Sequence, residues 1–322
     1  MKISVQLEPQ IGFDWPAWKR FIPALESMGF HTIYRSDHFP MGDPPETDAL
    51  ELITSLTYLA LHTQRVNFGT LAAPLSFRDP VSLARQAMSL NDLSGGRMIL
   101  GVGAGWNETE HRQYGYTLGD VKTRLDRLEE GLHVISALMR EDAPVRFEGR
   151  FYKLQGAHLL PRPQQPPRLL VGGGGPKRTL PLAARFADIW NCHPDSPEAF
   201  ARLNNKLNDD IQAAGREPED VERSAMIGVL MYRSPEELEK HARAYQAVPV
   251  ISAADGQKLV EMMQNMRGIH GSPQQVLDQM QAFAEAGLEE FVVQWFNPHD
   301  LDGLEQIASV VVPHFHTQPV GQ

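Results

Sequence analysis

The sequence is poor in cysteine and has fewer cations than anions. Its 322 residues include a single cysteine, Cys192, which excludes an internal disulfide framework and a zinc or iron–sulfur site built from several cysteines. Lys and Arg total 30 against 40 Asp and Glu, which gives a formal net charge of −10. A general nucleic-acid binder or a protein for acidic membrane surfaces needs an excess of cations, so neither partner is expected.

Long apolar runs are also missing. No stretch of about 18 consecutive apolar residues occurs, so the sequence predicts no membrane-spanning helix. The first residues, MKISVQLE, have the pattern of a strand and lack the apolar core and small-residue cleavage site of a signal peptide. The sequence therefore predicts a cytoplasmic protein.

The usual metal-binding patterns are absent as well. The 12 histidines show neither an HExxH motif nor a spacing that pairs them with carboxylates for a metal. Cys192 is interpreted as a small residue at a strand end, because no base that could activate the thiol is identifiable nearby. We therefore expect no catalytic metal.

What is present is an alternation of short β-branched runs with longer amphipathic stretches, which is typical of βα units and a parallel sheet. The predicted strands are residues 3–8, 31–35, 66–71, 98–103, 168–171, 188–191, 225–232 and 290–295. Eight strands alternating with helices is the count of a TIM (β/α)8 barrel. A doubly wound open sheet is the alternative, but its glycine-rich loop usually follows the first strand, whereas here four glycines follow the fifth.

The length of the chain suits one α/β barrel domain over residues 1–322. Residues 146–167 are rich in proline and contain two strand-like pieces, and we interpret them as an insertion at one end of the barrel. The fold class predicted is therefore an α/β TIM barrel with insertions at the C-terminal ends of its strands.

A polar cluster, Ser36-Asp37-His38, follows the second predicted strand, where the chemistry of a barrel enzyme is located. A carboxylate beside an imidazole can hold its tautomer, and a positioned histidine can donate or accept a proton near neutral pH. The alternative is that Asp37 caps the next turn and His38 fills a loop.

Glycine-rich segments follow other strands. Alternate glycines in residues 101–105 leave room above the barrel core for a ligand, although a packing need for small residues would produce the same pattern. Gly172, Gly173, Gly174 and Gly175 precede a predicted helix, so their amides and the helix N-terminus favour a phosphate site over a plain flexible turn.

Together these segments resemble the bacterial luciferase-like superfamily of flavin- and deazaflavin-dependent oxidoreductases. They occur in the family's order over roughly residues 3–312. The matching segments are 36–39 (SDHF), 78–80 (RDP), 93–97 (LSGGR), 101–106 (GVGAGW), 172–175 (GGGG), 187–191 (ADIWN) and 271–273 (GSP).

The resemblance implies a TIM barrel that binds a flavin or deazaflavin ring over the strand ends, and the Ser36-Asp37-His38 element is most similar to the branch that uses coenzyme F420. It implies that His38 exchanges a proton with the substrate and that Asp37 positions the ring or the imidazole. Glu108 or Glu110 would act as the base, because Trp106 stands beside the place where some sugar-phosphate-oxidising members have a glutamate.

The resemblance also implies a set of cofactor contacts. A non-proline cis peptide that backs the ring is common in the family after the third strand. The implied cofactor residues are Ser36, Asp37, Leu71, Ala72, Ala73, Asn107, Gly172, Gly173, Gly174, Gly175 and Thr179.

The substrate side is less defined. Residues 245–269 are where the family varies its substrate-facing structure, and Met262, Met263 and Met266 there line an apolar pocket or belong to the core. Basic residues for a sugar phosphate cannot be matched in residues 248–267, so a small, rather apolar substrate is expected.

Three functions stay open on sequence grounds. The first is an F420-dependent oxidoreductase, and the second is an FMN-dependent monooxygenase that receives reduced flavin from a partner reductase. The third is a cofactor-binding protein without catalysis, because a barrel does not guarantee chemistry. The resemblance implies a homodimer in each case.

Overall fold

The computed structural model describes residues 1–248 and 253–316, and all bounds refer to this part of the chain. The strands are β1 (Lys2–Leu7), β2 (Thr32–Arg35), β3 (Asn67–Thr70), β4 (Ala73–Pro74), β5 (Met98–Gly103), β6 (Val145–Glu148), β7 (Lys153–Ala157), β8 (Arg168–Gly172), β9 (Ile189–Cys192), β10 (Glu222–Met231), β11 (Ile269–Gly271) and β12 (Glu290–Trp295).

The helices alternate with these strands. They are α1 (Trp15–Ser27), α2 (Leu52–His62), α3 (Pro80–Leu93), α4 (Glu108–Gln113), α5 (Val121–Arg140), α6 (Thr179–Phe186), α7 (Pro197–Ala213), α8 (Pro235–Tyr245), α9 (Gly256–Asn265), α10 (Pro273–Glu285) and α11 (Leu301–His316). Short 3-10 helices cover Pro9–Ile11 and Pro218–Asp220.

Eight parallel strands close into a barrel in the order β1, β2, β3, β5, β8, β9, β10 and β12, with β12 returning to β1. The pairing is regular, for example with Lys2 opposite Glu290 and Leu7 opposite Trp295 along the closing pair. The predicted α/β TIM barrel is therefore confirmed. The C-terminal ends of its eight parallel strands, where barrel proteins bind their ligands, all lie on one face.

The period-two pattern of the strands separates two apolar layers. In β1, Ile3, Val5 and Leu7 belong to the large core between barrel and helices. A second, smaller cluster fills the barrel interior and contains Tyr34, Leu71, Ile99, Leu170, Ile189 and Val292. Glycine lets neighbouring strands approach in this wall, since a Cβ at Gly101 would collide with the carbonyl oxygen of Thr70.

The helix starts follow from capping residues. Asp79, predicted to cap the helix opened by Pro80, accepts a hydrogen bond from Ser82 N at 2.8 Å. Asp14 and Asp120 cap α1 and α5 in the same way. Each cap sets the residue at which its helix begins. It therefore also anchors the end of the loop that joins the helix to the C-terminal end of the preceding strand.

Residues 145–157 form an antiparallel hairpin, β6–β7, so this region contains two strands as predicted. Their predicted bounds are wrong, because the piece predicted at 147–154 spans the turn between β6 and β7 and the piece predicted at 158–160 follows β7. The hairpin contacts α5, because Glu130, near the middle of that helix, accepts from the amides of Arg150, Phe151 and Tyr152.

The additions on the C-terminal face of the barrel are residues 36–51, α4, and the segment α8–α9–β11 after β10. The last of these packs through a separate apolar cluster that includes Tyr245, Leu259 and Phe296. Met263 is buried in this cluster against Gly228 and Gly268, so it belongs to the core, while Met262 and Met266 are only partly buried. Residues 249–252 of the predicted variable region lie outside the described residues.

Candidate active site

The loop after β2 is held by a buried arginine. Arg35 donates from Nε to the carbonyl of Ser36 at 2.8 Å and from Nη1 to the carbonyl of Leu50 at 2.9 Å and to Ser55 Oγ at 2.5 Å. Burial lowers the pKa of Arg35 to about 10, so the guanidinium stays charged at neutral pH. Both ends of the segment that carries Asp37 and His38 are thereby fixed.

His38 is paired with Glu110. His38 Nδ1 lies 3.0 Å from Glu110 Oε2 and 3.1 Å from Oε1, and Glu110 is buried in α4. The amide of Phe39 donates to the same carboxylate at 3.3 Å. The contact fixes the imidazole through Nδ1, so the other ring nitrogen, Nε2, is the one left for a ligand.

This pair controls the charge of the imidazole. Burial by itself lowers the pKa of His38, but the hydrogen bond and the charge of Glu110 outweigh it, and the pKa is raised above its ordinary value. An imidazole with a raised pKa is a proton donor near neutral pH. The structure therefore places an imidazole with a raised pKa at the mouth of the barrel.

Asp37 does not contact His38, in contrast to the sequence-based expectation that the two neighbours form the pair. Its carboxylate accepts two hydrogen bonds from Arg78, at 2.8 Å to Nε and 2.8 Å to Nη2. The carboxylate beside the imidazole comes from Glu110 instead, 72 residues away in the sequence. Asp37 and Arg78 form a bidentate pair that ties β2 to the start of α3.

The other predicted residues of these two loops have structural contacts of their own. Ser36 is buried and donates to Gln10 Oε1 at 2.7 Å, so the proton of its hydroxyl is already used within the protein, and its cofactor contact stays a prediction. Asn107 caps α4 by accepting from the amides of Thr109 and Glu110. Glu108, the catalytic residue predicted beside Glu110, is exposed in the first turn of α4 and is not in contact with His38.

Small residues cluster at the ends of β3, β5 and β8, on the same face of the barrel as this pair. The Leu71–Ala72 peptide bond is cis, as the family resemblance implies for this bulge, and Ala73 follows in β4. A Cβ added to Gly103 or to Gly172 would have Ala72 Cβ, at 3.6 Å, as its nearest neighbour. We call these three residues, Ala72, Gly103 and Gly172, the shelf. Its open space is what a flat ring requires.

The four predicted phosphate-loop glycines lead from the shelf to α6. The amide of Gly173 donates to the carbonyl of Asn191, whereas the amides of Gly174 and Gly175 donate to no backbone oxygen of residues 1–248 and 253–316. Thr179 begins α6, and a Cβ on Gly175 would lie 2.9 Å from its Oγ1. Glycine is therefore needed for the close approach of loop and helix, and two amides stay available for an anion.

The sequence analysis missed a buried carboxylate at the centre of the mouth. Glu8 accepts from the side-chain amides of Gln6 at 2.9 Å, Gln10 at 2.9 Å and Gln294 at 2.5 Å. The alternation in β1 contained the signal, because polar residues at 4, 6 and 8 alternate with the apolar residues 3, 5 and 7 and must face the interior.

A second histidine, His193, was also missed. It directly follows β9, which lies opposite β2 in the ring of eight strands, so it faces His38 across the mouth. Burial and the charge of Arg267 lower the pKa of His193, which keeps this imidazole neutral. Arg267 is itself paired with Asp195 at 2.7 Å.

Cys192 is buried at the end of β9, and burial raises the pKa of its thiol, as expected for a packing residue rather than a nucleophile. No group of three or more metal-ligating side chains occurs in the described residues. None of the helices in the described part is long and apolar enough to cross a membrane.

Comparison with known proteins places this arrangement in a family. The model of the luciferase-like monooxygenase family matches residues 2–290. The F420-dependent glucose-6-phosphate dehydrogenase of Kineococcus radiotolerans is 27% identical over 311 residues, which cover 91% of each chain.

Solved structures show the same fold. An F420-dependent secondary alcohol dehydrogenase, solved with an F420–acetone adduct, superposes with a TM-score of 0.79 at 22% identity over 97% of this chain and 99% of its own. A monooxygenase from Streptomyces bottropensis superposes with a TM-score of 0.80 at 21% identity over 98% and 100% of the two chains. By its sequence match over most of its length, the chain belongs to the luciferase-like monooxygenase family.

Proposed function

We propose that the protein is an F420-dependent oxidoreductase that moves a hydride between the deazaflavin and a small, rather apolar organic substrate above the C-terminal face of the barrel. The observation that carries the proposal is the His38–Glu110 pair beside the shelf, because it sets a proton-handling group next to a surface fit for a flat ring. Relatives named as F420-dependent dehydrogenases support the choice of cofactor.

The residues present fit a deazaflavin nucleotide in two places. The shelf would give the ring a surface with no side chain larger than a methyl group. The amides of Gly174 and Gly175, with the N-terminus of α6, would give the phosphate its donors. Arg178 is not free to bind the phosphate, since it is paired with Asp126 at 2.9 Å and Glu129 at 3.1 Å. Backbone donors, rather than this side chain, would hold the anion.

When bound, coenzyme F420 supplies a two-electron carrier that gives or takes a hydride at the deazaflavin ring. His38 gives or takes the accompanying proton through Nε2, while Glu110 holds the imidazole at Nδ1 and stabilises its charged form. Asp37 and Arg78 act indirectly, because their ion pair holds the loop that carries His38 in position. The chain thus positions the reactants and handles the proton.

The substrate named for the related F420-dependent dehydrogenases, glucose 6-phosphate, is not carried over. The two cations of residues 253–267 are both paired with carboxylates, Lys258 with Glu261 at 2.7 Å and Arg267 with Asp195 at 2.7 Å. Cations already neutralised in this way hold a phosphate poorly. A small, rather apolar substrate agrees better with this part of the structure.

The deciding experiment is a fluorescence titration of cofactor-free protein with coenzyme F420 and, separately, with FMN. Tight binding of F420 with weak binding of FMN is the expected result. The reverse would move the protein to FMN-dependent monooxygenases, and oxygen uptake with reduced FMN would be the next assay. Binding of F420 with no turnover across a broad substrate panel would favour a binding protein without catalysis.

We also propose that the protein is a homodimer through the faces of α2 and α3. Ile53, Thr57 and Leu61 form one helical stripe, and Leu61 and Leu93 are exposed by 56% and 53%. A groove of about 370 Å³ runs between the two helices, lined by Ile53, Thr57, Ser82, Arg85, Gln86, Ser89, Leu90 and Leu93. Exposed leucines beside small side chains are typical of a surface that another helix pair covers.

Replacement of Leu93 by arginine is expected to convert the dimer to a monomer of 36.0 kDa, because a buried, unpaired charge opposes association. Sedimentation velocity measures the change. Leu160→Arg is the matched control, since Leu160 is exposed by 71% outside the α2–α3 face and should leave the dimer intact. A monomeric native protein, or equal dissociation by both variants, would contradict the assignment of this face.

A further inference from the structure

Trp106 is the most exposed tryptophan of the chain and lies at the mouth of the barrel, where its apolar side chain faces solvent. Its side chain is 68% exposed, whereas Trp18, Trp190 and Trp295 are buried. The indole meets the His38 ring edge to face, with centroids 5.6 Å apart and an interplanar angle of 74°. A large apolar group is thus presented next to the residue that handles the proton.

The backbone on both sides of Trp106 is fixed, so the indole is held in place. Gly105 has a φ of +79°, and a Cβ there would collide with Ser76 Oγ. Ser76 Oγ lies 2.8 Å from His111 Nε2, and His111 Nδ1 lies 2.7 Å from the carbonyl oxygen of Asn107. This network leaves the Trp106 backbone little freedom. The surrounding contacts therefore hold the exposed indole at the mouth of the barrel.

The loop that carries the indole starts at the shelf, since Gly103 is both the end of β5 and a member of that surface. A molecule that reacts at the ring on the shelf and exchanges a proton with His38 must lie beside Trp106. A deazaflavin ring and an indole are both flat and apolar, so a substrate between them would make its largest contact with both if it were planar.

The polar groups next to this space are donors. Trp106 Nε1 has no hydrogen-bond partner among residues 1–248 and 253–316, and indole N–H can only donate. His38 donates from Nε2 when its ring is protonated, and Glu110 stabilises that form through its contact with Nδ1. A ligand that satisfies both donors brings an acceptor such as a carbonyl oxygen.

We propose that Trp106 is the specificity-determining wall of the substrate site and selects a planar, conjugated carbonyl compound such as a quinone or an enone. This rests on the proposed F420-dependent function. In the reaction the substrate gains a hydride and a proton, so that the C=C bond of an enone becomes single, or the two C=O groups of a quinone become the C–OH groups of a hydroquinone. The electron pair comes with the hydride from the reduced deazaflavin, and the proton comes from the His38 imidazolium, which solvent reprotonates.

The test measures binding and does not require turnover. Equilibrium dialysis of the F420-loaded protein compares menadione, a planar quinone, with camphor, a ketone of similar size without a planar face. Trp106→Ala is expected to weaken menadione binding about tenfold or more and to change camphor binding by less than about threefold. Trp106→Phe retains an aromatic face and should stay within about threefold of the native protein for menadione.

Trp15→Ala is the control variant, because Trp15 is the other partly exposed tryptophan and packs on Tyr58 at the outside of α1 and α2. It should bind menadione as the native protein does. Failure of the native protein to bind menadione would overturn the proposal, and so would an equal loss of menadione and camphor in Trp106→Ala. If F420 does not bind in the fluorescence titration, the proposed function is wrong. If F420 binds but menadione does not, only the role of Trp106 in substrate selection is wrong.

Discussion

Alanine at position 38 is expected to lower the turnover of F420-dependent hydride transfer by about 10²–10⁴-fold, the usual contribution of a positioned acid or base. The affinity for F420 should change little, because the contacts that we propose for the cofactor, the shelf for the ring and the loop before α6 for the phosphate, do not include His38. Single-turnover kinetics and the fluorescence titration measure the two quantities separately. Unchanged turnover in His38→Ala would remove His38 from the reaction, and lost F420 binding would assign it to the cofactor site.

The pH profile gives an independent readout of the same pair. Glu110 raises the pKa of His38, so the limb of the profile due to His38 lies above the ordinary histidine range. In Glu110→Gln the burial of the imidazole remains and the charge is gone, so this limb moves to lower pH. Reduction, which needs the imidazolium, then declines at lower pH, and oxidation, which needs the neutral ring, rises at lower pH.

The variant Glu108→Gln decides between the two glutamates that the sequence offered. If Glu108 were the base, Glu108→Gln would shift the limb of the pH–rate profile and Glu110→Gln would leave it in place. The structure supports the opposite result, because Glu110 is buried against His38 and Glu108 is exposed. The His38–Glu110 pair also makes the free energy of unfolding depend on pH. Because the pKa of His38 is raised in the folded protein, the pair stabilises the fold at low pH, and this contribution is lost as the pH rises through that pKa.

The barrel could be predicted from the sequence because each unit carried its own local signals. The alternation of β-branched and amphipathic segments gave all eight barrel strands, and β5 and β12 even have the predicted bounds. Asp79 and Pro80 marked the start of α3 through capping chemistry that acts within three residues. Family membership, predicted from seven short motifs in order, is confirmed by the match over residues 2–290.

The contacts of the site could not be predicted equally well, because they join distant segments. Asp37 and His38 are adjacent in the sequence, but they project to different partners, Arg78 and Glu110, which lie 41 and 72 residues away. Only the packing of α3 and α4 against the loop after β2 decides that pairing. The cis bond at Leu71–Ala72 belongs to the same class of feature, since its three candidate residues carry no local signal that distinguishes them.

Valine at position 103 is expected to abolish tight F420 binding, with an increase in Kd of about 100-fold or more, while the fold stays intact. A Cβ at Gly103 meets only Ala72 Cβ at ordinary contact distance, so the substitution does not strain the protein. Its branched methyl groups would instead fill the space where the ring rests, and a ring displaced by even about 1 Å loses its contacts and its reactive geometry.

Thermal unfolding separates this effect from damage to the barrel. Gly103→Val should unfold within a few degrees of the native protein, whereas Gly101→Val, two residues earlier in β5, should be strongly destabilised, because a Cβ there collides with the Thr70 carbonyl oxygen. Both glycines lie in β5, but Gly101 is needed for the contact with the neighbouring strand, whereas Gly103 is the one that we propose for the cofactor. Native-like F420 affinity in a folded Gly103→Val protein would mean that the ring rests elsewhere, and the shelf would lose its assigned role.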